Sequence, residues 1–546
     1  MSFLKELFNW KQPKLYNPEH WICDWLIVFT LTILSTYVIF DLVVTFVLLT
    51  EIQGYLMIDD TKSAWIGKAF FFMNAFAPLY AVYLAKTQGF KLLLFVGTVL
   101  FFFGSILTGF ATNYTVMLVF RSIGGAGGGI ILANSLGMIS HAIPETMRNR
   151  ALTVYSNIFF GLGIASALLV GGYIGQLYHW RAAYTGNLYA VIPFLLWILL
   201  FLPETEKIKL PPYDFLSLFS LATFFFCLLL IVTQAKAPWN TMGWHSTFII
   251  GCGLCGLLAL IIFAIATLTV ETPLVNVHLF RHLRYSIGCL GIVIVGFMVF
   301  GGTVVMISLL ETVYLFERLT IGWFVGMIGF IYLLFGIIPI IFANMLQPRV
   351  FILIGLSLVI ISCFMYQKLT IQSDKWEIGT YQAIMSIGIA LILGPLTVVS
   401  LSVLTPEEIP KGTALFSFLR MIAATFGSAI IKMIMAIREP FHSLRFGEQV
   451  VVNSARFEQE FRALSQYIIQ NASSAPVKGR DQATQLLIAY INQQARISAL
   501  TDALYILGWA TFILTFIIIF IILSRIWRER FSGLQIFRRG MQKAEL

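Results

Sequence analysis

The chain has 546 residues, 59% of them hydrophobic and only 11% charged, with a formal net charge of +10 and a mean hydropathy of +0.86. Soluble domains carry about twice that share of charge, so the soluble classes are set aside and the chain reads as an all-α polytopic membrane protein. The positive charge is no argument for nucleic acid, because much of it sits in the tail RIWRERFSGLQIFRRGMQKAEL, where a basic end after a last span faces lipid headgroups.

Residues 1–24 form a polar, amphipathic tail without a removable signal peptide. Apolar windows long enough to cross a bilayer as helices, roughly 20 residues each, then recur fourteen times. Spans 1 to 6 cover about 25–50, 66–86, 91–111, 115–142, 150–176 and 183–203. Residues 204–284 hold the polar link PETEKIKLPPYD and spans 7 and 8, at about 213–234 and 246–269. Spans 9 to 14 follow at about 285–310, 321–346, 349–368, 380–404, 412–437 and 500–524, and 525–546 is the basic tail.

Fourteen spans put both ends on one side. That side holds Lys5, Lys11, Lys14, Lys86, Lys91, Arg148, Arg150, Lys207, Lys209, Arg281, Arg284, Arg349, Lys411 and the tail. The opposite loops hold far fewer, among them Lys62, Arg181, Lys236, Arg318 and Lys375. The bias places both termini in the cytoplasm. One segment opposite, 438–498, is polar yet carries two amphipathic helical patterns: Phe457, Phe461, Leu464 and Ile468, then Ala483, Leu486, Leu487, Tyr490 and Ile491. NASSAPVKGRD between them reads as a turn, so a helical hairpin outside the membrane is expected, with a periplasmic partner as its natural contact.

Several charges lie where lipid should be. Asp41 sits between Trp25 and Glu51 with too few residues on either side to span alone, so it is within the membrane. A carboxylate there costs roughly 2.5–3.5 kcal/mol and is kept where it has a task or a partner. At 1.5 Å per residue Asp41 lies roughly 13 Å and Arg121 roughly 9 Å below the same boundary. A direct or water-bridged Asp41–Arg121 pair is therefore expected, either taking and releasing a proton or statically joining spans 1 and 4. Arg420 and Lys432 lie on span 13, and Lys68 and Glu311 near span ends, where snorkelling is the plain explanation. Lys68 and Lys432 facing a cavity with Arg121 would suit an anionic or zwitterionic substrate.

The run RSIGGAGGG at 121–129 is no phosphate loop, because apolar helix lies on both sides of it. Small residues at three- and four-residue spacing let helices approach closely. Gly124, Gly125, Gly127, Gly128 and Gly129 are expected to form a slidable face of span 4 against GLGIASALLVGG of span 5. The CGLC pair at 252–255 has metal-like spacing, but it is mid-helix with no partner pair; no metal and no cofactor is expected. No nucleotide-binding loop or Ser/His/Asp cluster occurs in an aqueous segment, so the chain is not expected to be an enzyme.

Over nearly its full length the chain resembles the fourteen-helix drug:proton antiporter branch of the major facilitator superfamily. The residues that carry this are Phe40–Asp41 in span 1, Trp65 and Pro78, GSILTGFA at 104–111, RSIGGAGGG, IPETMRNRA at 143–151, WRAAYTGN at 180–187 and GTALFSFLRMIAATFGSAI at 412–430. The resemblance implies two six-helix bundles, 25–203 and 285–524, with spans 7 and 8 as an extra pair within 204–284. It implies alternating access to a central cavity lined chiefly by spans 1, 4, 9 and 12, and location in the plasma membrane (the bacterial inner membrane). Asp41 and Arg121 fall on the family's proton-coupling positions. Two departures stand out. The 2–3 loop, VYLAKTQGFK, keeps Gly89 and Lys91 but has Lys86 for the usual acid and Thr87 for the arginine. ALLVGG in span 5 keeps Gly171 and Gly172 but has Leu168 for the antiporter proline.

Proton-coupled export of small amphipathic or toxic compounds is the leading expectation, with protons, membrane lipid and a small-molecule substrate as partners. The departures keep open a specific importer or exporter of an organic acid, metabolite or siderophore-like molecule, and more remotely a transporter-like sensor or scaffold.

Overall fold

A computed structural model describes residues 21–544 apart from 205–206, 208–213, 271–272, 343–344, 406–407, 451–453 and 473–475. The first twenty residues of the N-tail, most of the 6–7 link and the centre of the expected NASSAPVKGRD turn thus lie outside the described residues. Among the described residues fourteen helices are long and apolar enough to cross a membrane. Spans 1 to 7 are Ile22–Val47, Asp60–Gln88, Phe90–Phe110, Tyr114–Ala142, Glu145–Leu177, Ala182–Phe201 and Phe215–Gln234. Spans 8 to 14 are Thr247–Thr269, Leu283–Gly301, Thr320–Ile341, Pro348–Lys368, Lys375–Leu401, Ile409–Gln449 and Lys478–Phe520.

Polar residues at the membrane boundary start several of these helices. Asp59 accepts the Lys62 N–H at 2.7 Å, Asn113 that of Val116 at 2.9 Å and Asp214 that of Ser217 at 3.0 Å. Each satisfies an orphan donor of the first turn. Gly89 ends span 2 with φ +96°, a value that glycine reaches without steric cost.

Spans 1 to 6 pack together through 1 on 5, 2 on 4, 3 on 4 and 3 on 6, and spans 9 to 14 through 9 on 12 and 13, 11 on 12 and 13 on 14. The two groups meet along spans 5 and 10 and along spans 2 and 13. Span 7 sits at the second seam, where the Phe225 ring lies 5.6 Å from Phe418 and 6.2 Å from Phe76. Span 8 packs on span 7 and leaves Leu254, Leu257 and Leu258 exposed, as a lipid-facing helix does.

Two features depart from expectation. Span 9 is not uniform: a π-turn at Phe297–Gly301 interrupts it, and Gly427 of span 13 fits against the Phe297 backbone there. Span 13 does not stop near 437, nor does span 14 begin near 500. Helix Ile409–Gln449 runs on beyond the apolar segment, and Pro476–Ala544 is continuous. Arg438 bonds Asp502 at 2.5 Å, and Arg496 bonds Glu439 at 2.8 Å. These pairs fasten the two extensions side by side, which is why polar sequence remains helical there. Helix Ala455–Ala472 packs on the second extension and completes a hairpin.

Candidate functional site

The centre of the first bundle is polar and closed. Asp41 and Arg121 are each 1% exposed and form a direct ion pair through Arg121 Nη1 and Asp41 Oδ1. Asp41 Oδ2 accepts from Ser105 Oγ of span 3, which in turn accepts from Asn187 Nδ2 of span 6 at 2.8 Å. Below the carboxylate, Thr45 Oγ1 donates to the Asp41 carbonyl at 2.8 Å and accepts from the Tyr184 hydroxyl at 3.0 Å. The guanidinium lies over two rings, 4.4 Å from the centroid of Phe70 and 5.7 Å from that of Tyr184. Among the described residues its Nε and second terminal nitrogen have no hydrogen-bond partner. One carboxylate and two aromatic faces therefore hold a desolvated cation.

The sequence brought Asp41 and Arg121 to notice through their charge; Ser105, Tyr184 and Asn187 it did not. Their signal was available, since all three lie inside GSILTGFA and WRAAYTGN. The residues that identify those segments are the ones that ring the carboxylate.

The glycine run does what close approach requires, but against other partners than expected. A Cβ on Gly125 or Gly129 would strike the carbonyl oxygens of Phe70 and Asn74 in span 2. One on Gly124 would lie 3.5–3.6 Å from the span 3 backbone at Gly104 and Ser105, and one on Gly127 would strike the Phe101 nitrogen. Gly128 faces Asn74 and Val38. The run is thus wedged between spans 2 and 3, with span 1 beside it, not against span 5. Span 5 instead spends its small residues on span 10: a Cβ on Gly322 would come 2.9 Å from Gly172 Cα, and one on Gly329 would come 2.7 Å from Ala165 Cα. Gly171 meets Val44 of span 1. The backbone beside Leu168, the position of the missing proline, lies against Gly322.

The remaining charges separate into distinct places. Arg420 is 3% exposed, with its guanidinium 5.4 Å from the Phe159 ring of span 5; it crosses from the second bundle into the first. Glu311, in the helix after span 9, accepts from Thr50 Oγ1, in the helix after span 1, at 2.7 Å. Lys68 and Lys432 do share a cavity, one of about 290 Å³, but Arg121 is not part of it. Span 2 stands between them. Phe70 turns toward Arg121, and Lys68, two residues earlier, turns toward span 13.

At the end of the bundle nearer the termini, Lys91 Nζ donates to the Leu199 carbonyl at 2.8 Å. A Cβ on Gly89 would meet Glu204. Gly89 and Lys91 therefore seat the 2–3 turn on the end of span 6, within one bundle. Across the bundles, Asn157 of span 5 donates to Gly336 O at 2.8 Å and accepts from Gly394 N at 3.1 Å. Cys227 of span 7 lies within hydrogen-bonding reach of Cys255, yet no cluster of metal-ligating side chains occurs among the described residues.

Two six-helix groups meeting along two seams, with a buried carboxylate–guanidinium pair inside one of them, define a polytopic secondary-transporter architecture. Residues 27–428 match the sequence model of the Major Facilitator Superfamily, and the chain belongs to that family. It is 25% identical to the multidrug export protein EmrB of Haemophilus influenzae, over 87% of this chain and 93% of that one. It is 24% identical to the fatty acid resistance protein FarB of Neisseria gonorrhoeae, over 80% and 85%. Its fold superposes on the human organic anion transporter MFSD10 with a TM-score of 0.55, at 15% identity, covering 90% of this chain and 99% of that one. With fourteen candidate spans among its described residues, it is similar in sequence to these export and resistance proteins.

Proposed function

We propose that the protein is a proton-coupled exporter of small amphipathic or toxic compounds that works by alternating access in the bacterial inner membrane, with both termini in the cytoplasm. Its activity is transport, not catalysis. The observation that carries this reading is the Asp41–Arg121 pair. A desolvated ion pair is stable only while both charges are present. A proton delivered to an Asp41 carboxylate oxygen removes one of them, and the electrostatic bond between spans 1 and 4 is lost. Ser105 and Asn187 then reorient with the neutral acid, and Arg121 remains held by the faces of Phe70 and Tyr184. Departure of the proton restores the pair. A binding event that favours one packing of the bundles thereby becomes linked to proton transfer.

The bodies that rock against each other are 25–203 and 285–524, with 204–284 carrying the extra pair of spans and 438–498 reaching a periplasmic partner. The name of EmrB supports export of varied compounds, and that of FarB supports amphipathic ones.

The test is efflux of ethidium from proteoliposomes under an imposed proton gradient. Asp41→Asn should abolish gradient-driven efflux while the purified variant remains monodisperse. Unchanged, pH-dependent efflux in that variant would refute the coupling role.

A further inference from the structure

The 290 Å³ cavity opens at the end of the bundles opposite the termini, between spans 2, 7 and 13. Lys68 reaches it from span 2, Lys432 from span 13 and Lys236 from the turn after span 7. Its two acids are Glu439, paired with Arg496 at 2.8 Å, and Asp60, which accepts from Gln53 Nε2 at 2.7 Å and whose charge also acts on Lys432; against Lys68, Lys236, Lys432 and Arg496 they leave the lining with two positive charges in excess. Lys68 is 7% exposed. Its Nζ lies 5.5 Å from the centroid of the Trp65 ring and feels the charge of Lys432. Among the described residues neither Lys68 nor Lys432 is joined to a carboxylate in a direct ion pair. The remaining walls include Val232, Val313, Met433 and Met435, which are apolar and, for methionine, adaptable in shape.

Two like charges facing one half-open cavity repel each other and are costly to desolvate, and a bound anion offsets both costs together. The space sits near the lower end of the usual ligand range of roughly 300–1,000 Å³, enough for a compact anionic head and the first carbons of a chain. We infer that Lys68 and Lys432 form a binding site for the anionic head of a single-chain amphipathic substrate, with the methionine and valine walls receiving its chain. This rests on the exporter reading and narrows its substrate class. The site lies on the side from which an exporter releases its cargo. It is one helix face away from the coupling pair, because span 2 presents Lys68 to the anion and Phe70 to Arg121.

The experiment measures equilibrium binding of radiolabelled decanoate and of decyltrimethylammonium to the full-length protein in phosphatidylcholine nanodiscs. In K68Q/K432Q decanoate affinity should fall about tenfold or more, and in K68R/K432R it should stay within about threefold of the parent. Decyltrimethylammonium binding should be the same in all three. Decanoate binding that is absent from the parent, or unchanged in K68Q/K432Q, overturns the inference; so does equal loss of both ligands. Phosphatidylglycerol added to the nanodiscs separates two sources of the same chemistry. Lysine-dependent competition assigns the resident anion to the bilayer and its absence assigns it to the solute, and the anion site stands in both cases. Gradient-driven ethidium efflux by the parent is measured in parallel. Its absence would refute the exporter reading while leaving the binding result to be judged alone.

Discussion

At the scale of single residues, charge made the Asp41–Arg121 pair visible and neutrality hid its supports. An aspartate and an arginine in apolar helix are conspicuous because each needs a partner there. A serine and an asparagine are not, because in a helix they can satisfy themselves on nearby backbone carbonyls, and a tyrosine is not, because it is neutral and largely apolar. Only the packing of spans 3 and 6 on span 1 turns Ser105 and Asn187 into a chain of donors ending at Asp41. Lys68 and Lys432 were legible as charges, but which helix face each occupies was not, and the face separates them from Arg121. The donor chain yields a prediction. Ser105→Ala leaves Asp41 Oδ2 and the Asn187 amide each without their bond in a closed site. A hydrogen bond to a charged group is worth about 1.5–3 kcal/mol, so gradient-driven ethidium efflux should fall by about tenfold to a hundredfold. An efflux rate equal to the parent's would show that Ser105 is a bystander.

At the scale of elements, the helices were legible and their contacts were not. Hydropathy is a local property, so all fourteen spans could be counted from the sequence. The ends of spans 13 and 14 were missed because ion pairs between distant segments, such as Arg438 with Asp502, keep polar sequence helical beyond the apolar run. The glycine run shows the same limit. Composition said that something comes close to span 4, but small residues in span 5 were an equally plausible counterpart until the packing showed spans 2 and 3 there. Gly125→Ala tests how tight that fit is. Its Cβ would strike the Phe70 carbonyl, a backbone atom that cannot rotate away. Overpacking of this kind costs about 1–3 kcal/mol, so Tm should drop by several degrees in a thermal-unfolding assay. Gly54→Ala, where nothing lies within 4 Å, should leave Tm unchanged. Equal behaviour of the two variants would mean that spans 2 and 4 separate freely.

At the scale of the whole molecule, closure on the side of the termini depends on contacts that the loop motif does not supply. Lys86 and Thr87 replace the acid and arginine expected there, and Gly89 and Lys91 act within one bundle. The hydrogen bonds across the bundles come instead from Asn157, 2% exposed, which holds Gly336 of span 10 and Gly394 of span 12 with its two amide ends. Ser156 beside it lies 3.4 Å from Thr397 Oγ1 of span 12. A single amide thus fastens span 5 to two helices of the other bundle, in the half of the membrane where spans 10 and 12 end. Opening toward the termini must break both bonds, and they must reform on closing. Asn157→Ala removes the pair and leaves Gly336 O and Gly394 N short of these partners, so the open arrangement gains population. Placed in a cysteine-free background, Thr397→Cys reports on this opening. A membrane-impermeant maleimide added to everted vesicles should label Cys at that position several-fold faster when Asn157→Ala is also present. Labelling from the opposite side should be no faster. Equal labelling with and without Asn157→Ala would mean that helix packing alone, without this amide, holds the bundles shut.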